Sequence, residues 1–176
     1  MDIDALLKDK SLKAAEKRDA VAREFASGTL TLDSMMPQNG FDEKAVGIIL
    51  EAMEAVSRDN PELADNEWLE FAVKYIGADS NSLKREASRV AGNIAHLFPE
   101  RLDAAVQKLL SNAADDGTVV RWGSAYALAR IVAIPKYASG ALFDTVSALC
   151  EGEQENGVKN QYLGGLKKAR KYREHR

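Results

Sequence analysis

The feature that most constrains this 176-residue chain is that it repeats itself. The stretch Leu83-Lys84-Arg85-Glu86-Ala87-Ser88-Arg89-Val90-Ala91-Gly92-Asn93-Ile94 returns 37 residues later as Val120-Arg121-Trp122-Gly123-Ser124-Ala125-Tyr126-Ala127-Leu128-Ala129-Arg130-Ile131. That copy returns 38 residues later as Val158-Lys159-Asn160-Gln161-Tyr162-Leu163-Gly164-Gly165-Leu166. Shifted back by 38, Leu83, Ala87, Ala91 and Ile94 fall on Ala45, Ile49, Met53 and Val56. A period of this length marks a supersecondary unit that cannot bury its apolar face alone and must stack on a neighbour.

The unit is helical. Ala45, Ile48, Ile49, Ala52, Met53 and Val56 recur at i, i+3, i+4, i+7, as do Leu83, Ala87, Val90, Ala91 and Ile94, the spacing of one buried helical stripe. Asp42, Asn66 and Asn81 precede helical runs and are read as N-caps, because their side chains accept the free N–H groups of a first turn. Pro61, Pro99 and Pro135 each follow one of these helices. A second set of helices is expected near 66–77, 100–113 and 138–150, so the unit is a hairpin of about 37 residues in about four copies. An N-terminal helix at about 12–27 precedes them, and Thr29–Leu32 reads as an extended connector or the start of a helix.

Asp115 stands six residues before Arg121, and Glu153 six before Lys159; in the earlier unit Asp79 is five before Lys84. An acidic turn followed by an apolar–basic pair opening the second helix resembles the HEAT-repeat family of α-solenoids, over residues 42–172. The resemblance implies an all-α fold, a right-handed α-solenoid of about four stacked helical hairpins forming a single domain. In it, residues 1–40 are an N-terminal cap and connector, and 173–176 a basic tail. It also implies that turn carboxylates meet basic side chains of the same or the neighbouring unit, and that the second helices line a concave face.

With Leu83, Ala87, Val90, Ala91 and Ile94 inward, the outward row of that helix is Arg85, Arg89, Asn93 and His96. The repeat carries it to Trp122, Tyr126 and Arg130, then to Asn160, Gly164 and Lys168, and back to Gly47, Glu51 and Ala55. Arg85, Arg89, Asn93, Trp122, Tyr126, Arg130 and Lys168 therefore form the expected partner-binding surface, made of residue types in which binding energy concentrates. Two alternatives stay open: Trp122 and Tyr126 packed between hairpins, and Arg85 and Arg89 paired with acids such as Glu51.

Charge is uneven. Residues 1–82 hold 9 basic and 17 acidic side chains; residues 83–176 hold 15 and 10, within an overall net charge of −3. Six Lys/Arg fall in Lys167–Arg176. The composition, 45% hydrophobic and 29% charged, is that of a globular chain. No run reaches the roughly 20 apolar residues of a membrane span, and the acidic start lacks a signal-peptide pattern, so a cytoplasmic location without membrane contact is expected. The one cysteine, Cys150, is read as a small buried residue. HExxH, CxxC and phosphate-loop motifs are missing, His96 sits at a helix end, and His175 lies in the tail. No cofactor, metal or catalytic residue is expected.

The resemblance accordingly implies a non-enzymatic scaffold binding a protein or peptide on the concave face. The alternative is nucleic-acid binding through Arg85, Arg89, Arg130 and the Lys167–Arg176 tail, including resemblance to HEAT-like alkylpurine DNA glycosylases. Against the latter, the chain is short for that family, its first half is acidic, and no inward Asp near Trp122 can be matched.

Overall fold

The computed structural model describes residues 1–36 and 40–174 and is all-helical, with no strand among them. The helices are α1 (Ile3–Lys8), α2 (Ala14–Ala26), α3 (Leu32–Met35), α4 (Glu43–Asp59), α5 (Asn66–Ile76), α6 (Asn81–Ile94), α7 (Asp103–Asn112), α8 (Thr118–Val132), α9 (Pro135–Ala138), α10 (Ala141–Gly152) and α11 (Asn156–Arg173). Pro61, Pro99 and Pro135 each begin a short helical turn, where a missing N–H costs nothing. His175 and the end of the basic tail lie outside the described residues.

The starts of the helices follow their caps. Asp42 accepts from the Ala45 N–H as expected, but Asp65 and Ser80, rather than Asn66 and Asn81, cap α5 and α6 by accepting from Trp68 and Leu83. Thr29–Leu32 resolves as a helix start: the Thr31 hydroxyl accepts from the Ser34 N–H and opens α3.

Helices α2, α4, α6, α8 and α11 lie side by side in that order, each packed on the next. Behind them α5 packs on α6, α7 on α8 and α10 on α11. Three hairpins are complete. The expected fourth is not: α4 occupies a second-helix place, but the stretch before it carries only the four-residue α3, which packs on α5, and α2 takes the position beside α4. The repeated apolar positions form one core, with Ile49, Met53, Ala87, Ala91, Ile94, Ala127, Leu128, Ile131 and Ala169 fully buried.

Small residues bring the front helices close together. A Cβ on Gly92 would stand 2.9 Å from the Ala127 Cα, and one on Gly123 3.0 Å from the Arg85 Cα, so α6 and α8 approach almost backbone to backbone. A Cβ on Gly165 would run into the Ala129 backbone on α8, whereas its neighbour Gly164 faces open space. Gly165→Ala is therefore expected to force α11 off α8 and lower stability by about 1–3 kcal/mol. Gly164→Ala should leave it unchanged or raise it by up to about 1 kcal/mol. Denaturant unfolding of both variants checks the pair, and equal effects would contradict this packing.

Candidate functional site

The front row of helices carries a buried ionic cluster between α4 and α6. Glu54 on α4 and Glu86 on α6 are almost fully enclosed, with side chains 6% and 5% exposed. Arg89 lies between them: its Nη2 donates to Glu54 Oε1 at 2.8 Å and its Nη1 to Glu86 Oε2 at 3.2 Å. Arg85 Nε donates to Glu86 Oε1 at 2.8 Å, and Arg58 stands 3.6 Å from Glu54. Two buried carboxylates thus face three guanidinium groups, an arrangement that offsets the large desolvation cost of burying charge.

One turn further along, polar contacts tie three helices together. Asn93 Nδ2 donates to Ser57 Oγ at 3.0 Å, and Asn93 Oδ1 accepts from the Tyr126 hydroxyl at 2.6 Å. The Tyr126 ring lies 5.5 Å from that of Trp122, and the Arg89 guanidinium is 5.8 Å from each. Arg130 also stacks on Tyr126, 3.4 Å from the ring centroid, while its Nη1 donates to the Tyr126 carbonyl. Burial is the main cause of the raised Tyr126 pKa. It also lowers that of Arg130, with the nearby positive Arg89 adding to the effect.

The turns between helices carry a second set of contacts. Lys84 on α6 meets Asp115, at 3.3 Å, in the turn of the following hairpin. Arg121 on α8 meets Glu153, at 3.1 Å, in the turn of the next. Arg121 also donates to the Asp115 carbonyl, not to its carboxylate. Acid and base therefore pair between successive units. Asp115 is held below the usual carboxylate range, chiefly because its carboxylate accepts the Gly117 N–H and faces Lys84. Burial pushes Glu153 upward, but the Glu155 N–H and Arg121 outweigh it and leave it lowered.

Beyond Arg130 the row opens into a groove of about 590 Å³ between α6, α8 and α11. Arg130 and Lys168 enter it with His96, Asn160 and Gln161, and among the described residues no Asp or Glu lines it. Gly92, Gly164 and Gly165 also line it. Arg130 and Lys168 make no ion pair among the described residues.

Of the expected surface, the structure brings Arg85, Arg89, Asn93, Trp122, Tyr126 and Arg130 into one continuous network, with Lys168 across the groove. Exposure differs from expectation. Tyr126 is buried, 7% exposed, and takes the inter-helix alternative. Trp122 is half-buried, and Arg89 is committed to two carboxylates. The acid facing Arg89 is Glu54, not Glu51. Reading by residue type assigns Glu54 and Glu86 to solvent, but the repeat register singles them out: 38 residues after Glu54 stands Gly92, and 37 after Glu86 stands Gly123. An acid where the next unit needs a glycine for close approach points to a buried ion pair.

Cys150 is buried, and burial pushes its thiol pKa up. Among the described residues no helix is long and apolar enough to cross a membrane, and no three His, Cys, Asp or Glu side chains cluster as metal ligands would. Compared with protein-family models, curated proteins and solved structures, the chain matches none.

Three outcomes follow. Arg89→Ala leaves Glu54 and Glu86 enclosed without their shared partner and should cost about 3 kcal/mol or more in denaturant unfolding. Arg85→Ala, at a more exposed position, should cost under about 1 kcal/mol. The lowered carboxyl pKa values of Asp115 and Glu153 add stability that is complete above the unfolded value near pH 4 and fades as pH falls through the folded values. The unfolding midpoint should therefore drop more steeply below about pH 4 in the parent than in Asp115→Asn; parallel pH profiles would contradict the assignment.

Proposed function

We propose that the chain is a HEAT-like helical-repeat module, a right-handed α-solenoid, that binds a protein partner on the face built from α4, α6, α8 and α11. Support for the stack comes from contacts that recur at nearly constant sequence separation. Lys84–Asp115 and Arg121–Glu153 are 31 and 32 residues apart. Lys108 to the Val73 carbonyl, and Arg173 to the Ala138 carbonyl, are both 35 apart. The main helix contacts among the described residues join adjacent units, as expected of a quasi-one-dimensional array.

The observation that carries the binding reading is the groove. It sits on the front row, it is concave, and its cations are not consumed by the internal pairing that occupies Arg85, Arg89 and Arg121. Concave sites with a few convergent polar groups are where ligands and partners bind. A second reading, nucleic-acid binding, is favoured by α11, which carries six Lys/Arg and no acid between Asn156 and Arg173. Its glycosylase form calls for a carboxylate on the face, and Glu54 and Glu86 are held by arginines.

Gly164→Trp tests the module reading, since Gly164 faces open space beside the groove. The full chain should retain a partner from native lysate after nuclease treatment. Gly164→Trp should lose it, and Ala104→Trp, on exposed α7, should keep it. Retention by Gly164→Trp, or loss after nuclease, would overturn the reading.

A further inference from the structure

We propose that the groove between α6, α8 and α11 takes an acidic peptide segment, with Arg130 and Lys168 meeting its carboxylates and the side-chain amides of Asn160 and Gln161 meeting its backbone. The inference rests on the module reading above and names the chemistry of the partner.

Four observations converge. The first is sign. The chain holds more acidic than basic side chains, 27 against 24, yet no acid among the described residues lines this groove. The second is availability. Lys84, Arg85, Arg89, Arg101, Arg121 and Lys136 are each within ion-pair distance of a carboxylate. Arg130 and Lys168 belong to the same repeated surface and have no such partner among the described residues. The third is preorganisation. The Arg130 guanidinium is fixed by the Tyr126 ring on one side and by the Tyr126 carbonyl through Nη1. Tyr126 is itself held by Asn93. A guanidinium fixed in this way loses little further freedom when it meets a carboxylate, and its planar fork suits bidentate pairing.

The fourth is the pair of amides. Asn93 is spent on Tyr126 and Ser57. The Asn160 and Gln161 side chains have no hydrogen bond among the described residues, and both line the groove. A primary amide offers donor and acceptor together, which matches the alternating N–H and C=O of an extended chain.

The face beyond the groove argues for a short segment rather than a nucleic acid. Towards α4 and α2 the same row presents Glu51 and Asp19, next to Arg18 and Arg58. A phosphate backbone crossing the groove towards α4 and α2 would run onto those carboxylates. A segment of a few acidic residues stops short of them.

The test uses the full chain and a fluorescein-labelled ten-residue glutamate–glycine peptide, read by fluorescence anisotropy at low salt. Lys168→Gln, at an exposed position, and Asn160→Asp, which places an acid in the groove, should each weaken binding by about fivefold or more. Combining Lys168→Gln with Arg130→Gln should weaken it further, and Lys74→Gln, at an exposed position of α5, should not change it. Circular dichroism checks that each variant stays folded.

Unchanged affinity in folded Lys168→Gln and Asn160→Asp would overturn the proposal, and so would displacement of the peptide by a lower concentration of single-stranded oligonucleotide. If the peptide does not bind while a nuclease-resistant, Gly164-dependent partner is captured, the acidic-segment inference falls and the module reading stands. If neither binds, both fall.

Discussion

Everything on the front face depends on how closely α6, α8 and α11 approach one another. Gly92 meets Ala127, Gly123 meets the Arg85 backbone, and Gly165 meets Ala129. At these points the helices meet through glycine and backbone, with no side chain between them. Beside these contacts the Arg89 guanidinium lies 5.8 Å from the Trp122 and Tyr126 rings, and that of Arg130 3.4 Å from the Tyr126 ring. Between α4 and α6 the register-equivalent positions hold Glu54 and Glu86, and the gap is filled by arginines. One repeat thus shows two solutions to the same interface, small residues in one case and a satisfied ion cluster in the other.

The internal pairing decides what the surface can offer. Arg89 is shared by Glu54 and Glu86, and Lys84 and Arg121 are drawn to acids of the following unit. These contacts fix the orientation of one hairpin on the next. They also remove most of the row's positive charge from use by a partner. Among the described residues Arg130 and Lys168 of the groove, like the other lysines of α11, make no ion pair, and this sets the sign of the groove where the row reaches α11.

Much of the architecture is legible in the sequence. The positions of α4, α6, α8 and α11 follow from a strict apolar repeat, and Pro61, Pro99 and Pro135 mark the breaks between them. Finer features depend on geometry that a repeat offset does not carry. Translating Arg89 and Asn93 by 37 residues lands correctly on Tyr126 and Arg130. It does not say that α6 and α8 are close enough to bury the tyrosine. The caps Asp65 and Ser80 precede their helices by one residue more than Asn66 and Asn81 suggest, since either polar neighbour has suitable chemistry and only the backbone chooses. The incomplete first hairpin shows the same limit: periodicity locates α4, while the short α3 and the position of α2 depend on what α4 and α5 leave uncovered. Glu54 and Glu86 are hidden by their residue type, because isolated acids belong in water, and become visible only against the glycines in the neighbouring units.

The proposed partner surface is the α4–α6–α8–α11 face, not the α5–α7–α10 layer. Hydrogen–deuterium exchange of the full chain, alone and with its captured protein partner, tests this most directly. Slowed exchange is expected in α8 and α11 around Arg130 and Lys168, with α5 and α7 unchanged. Slowed exchange confined to α5, α7 and α10 would contradict it.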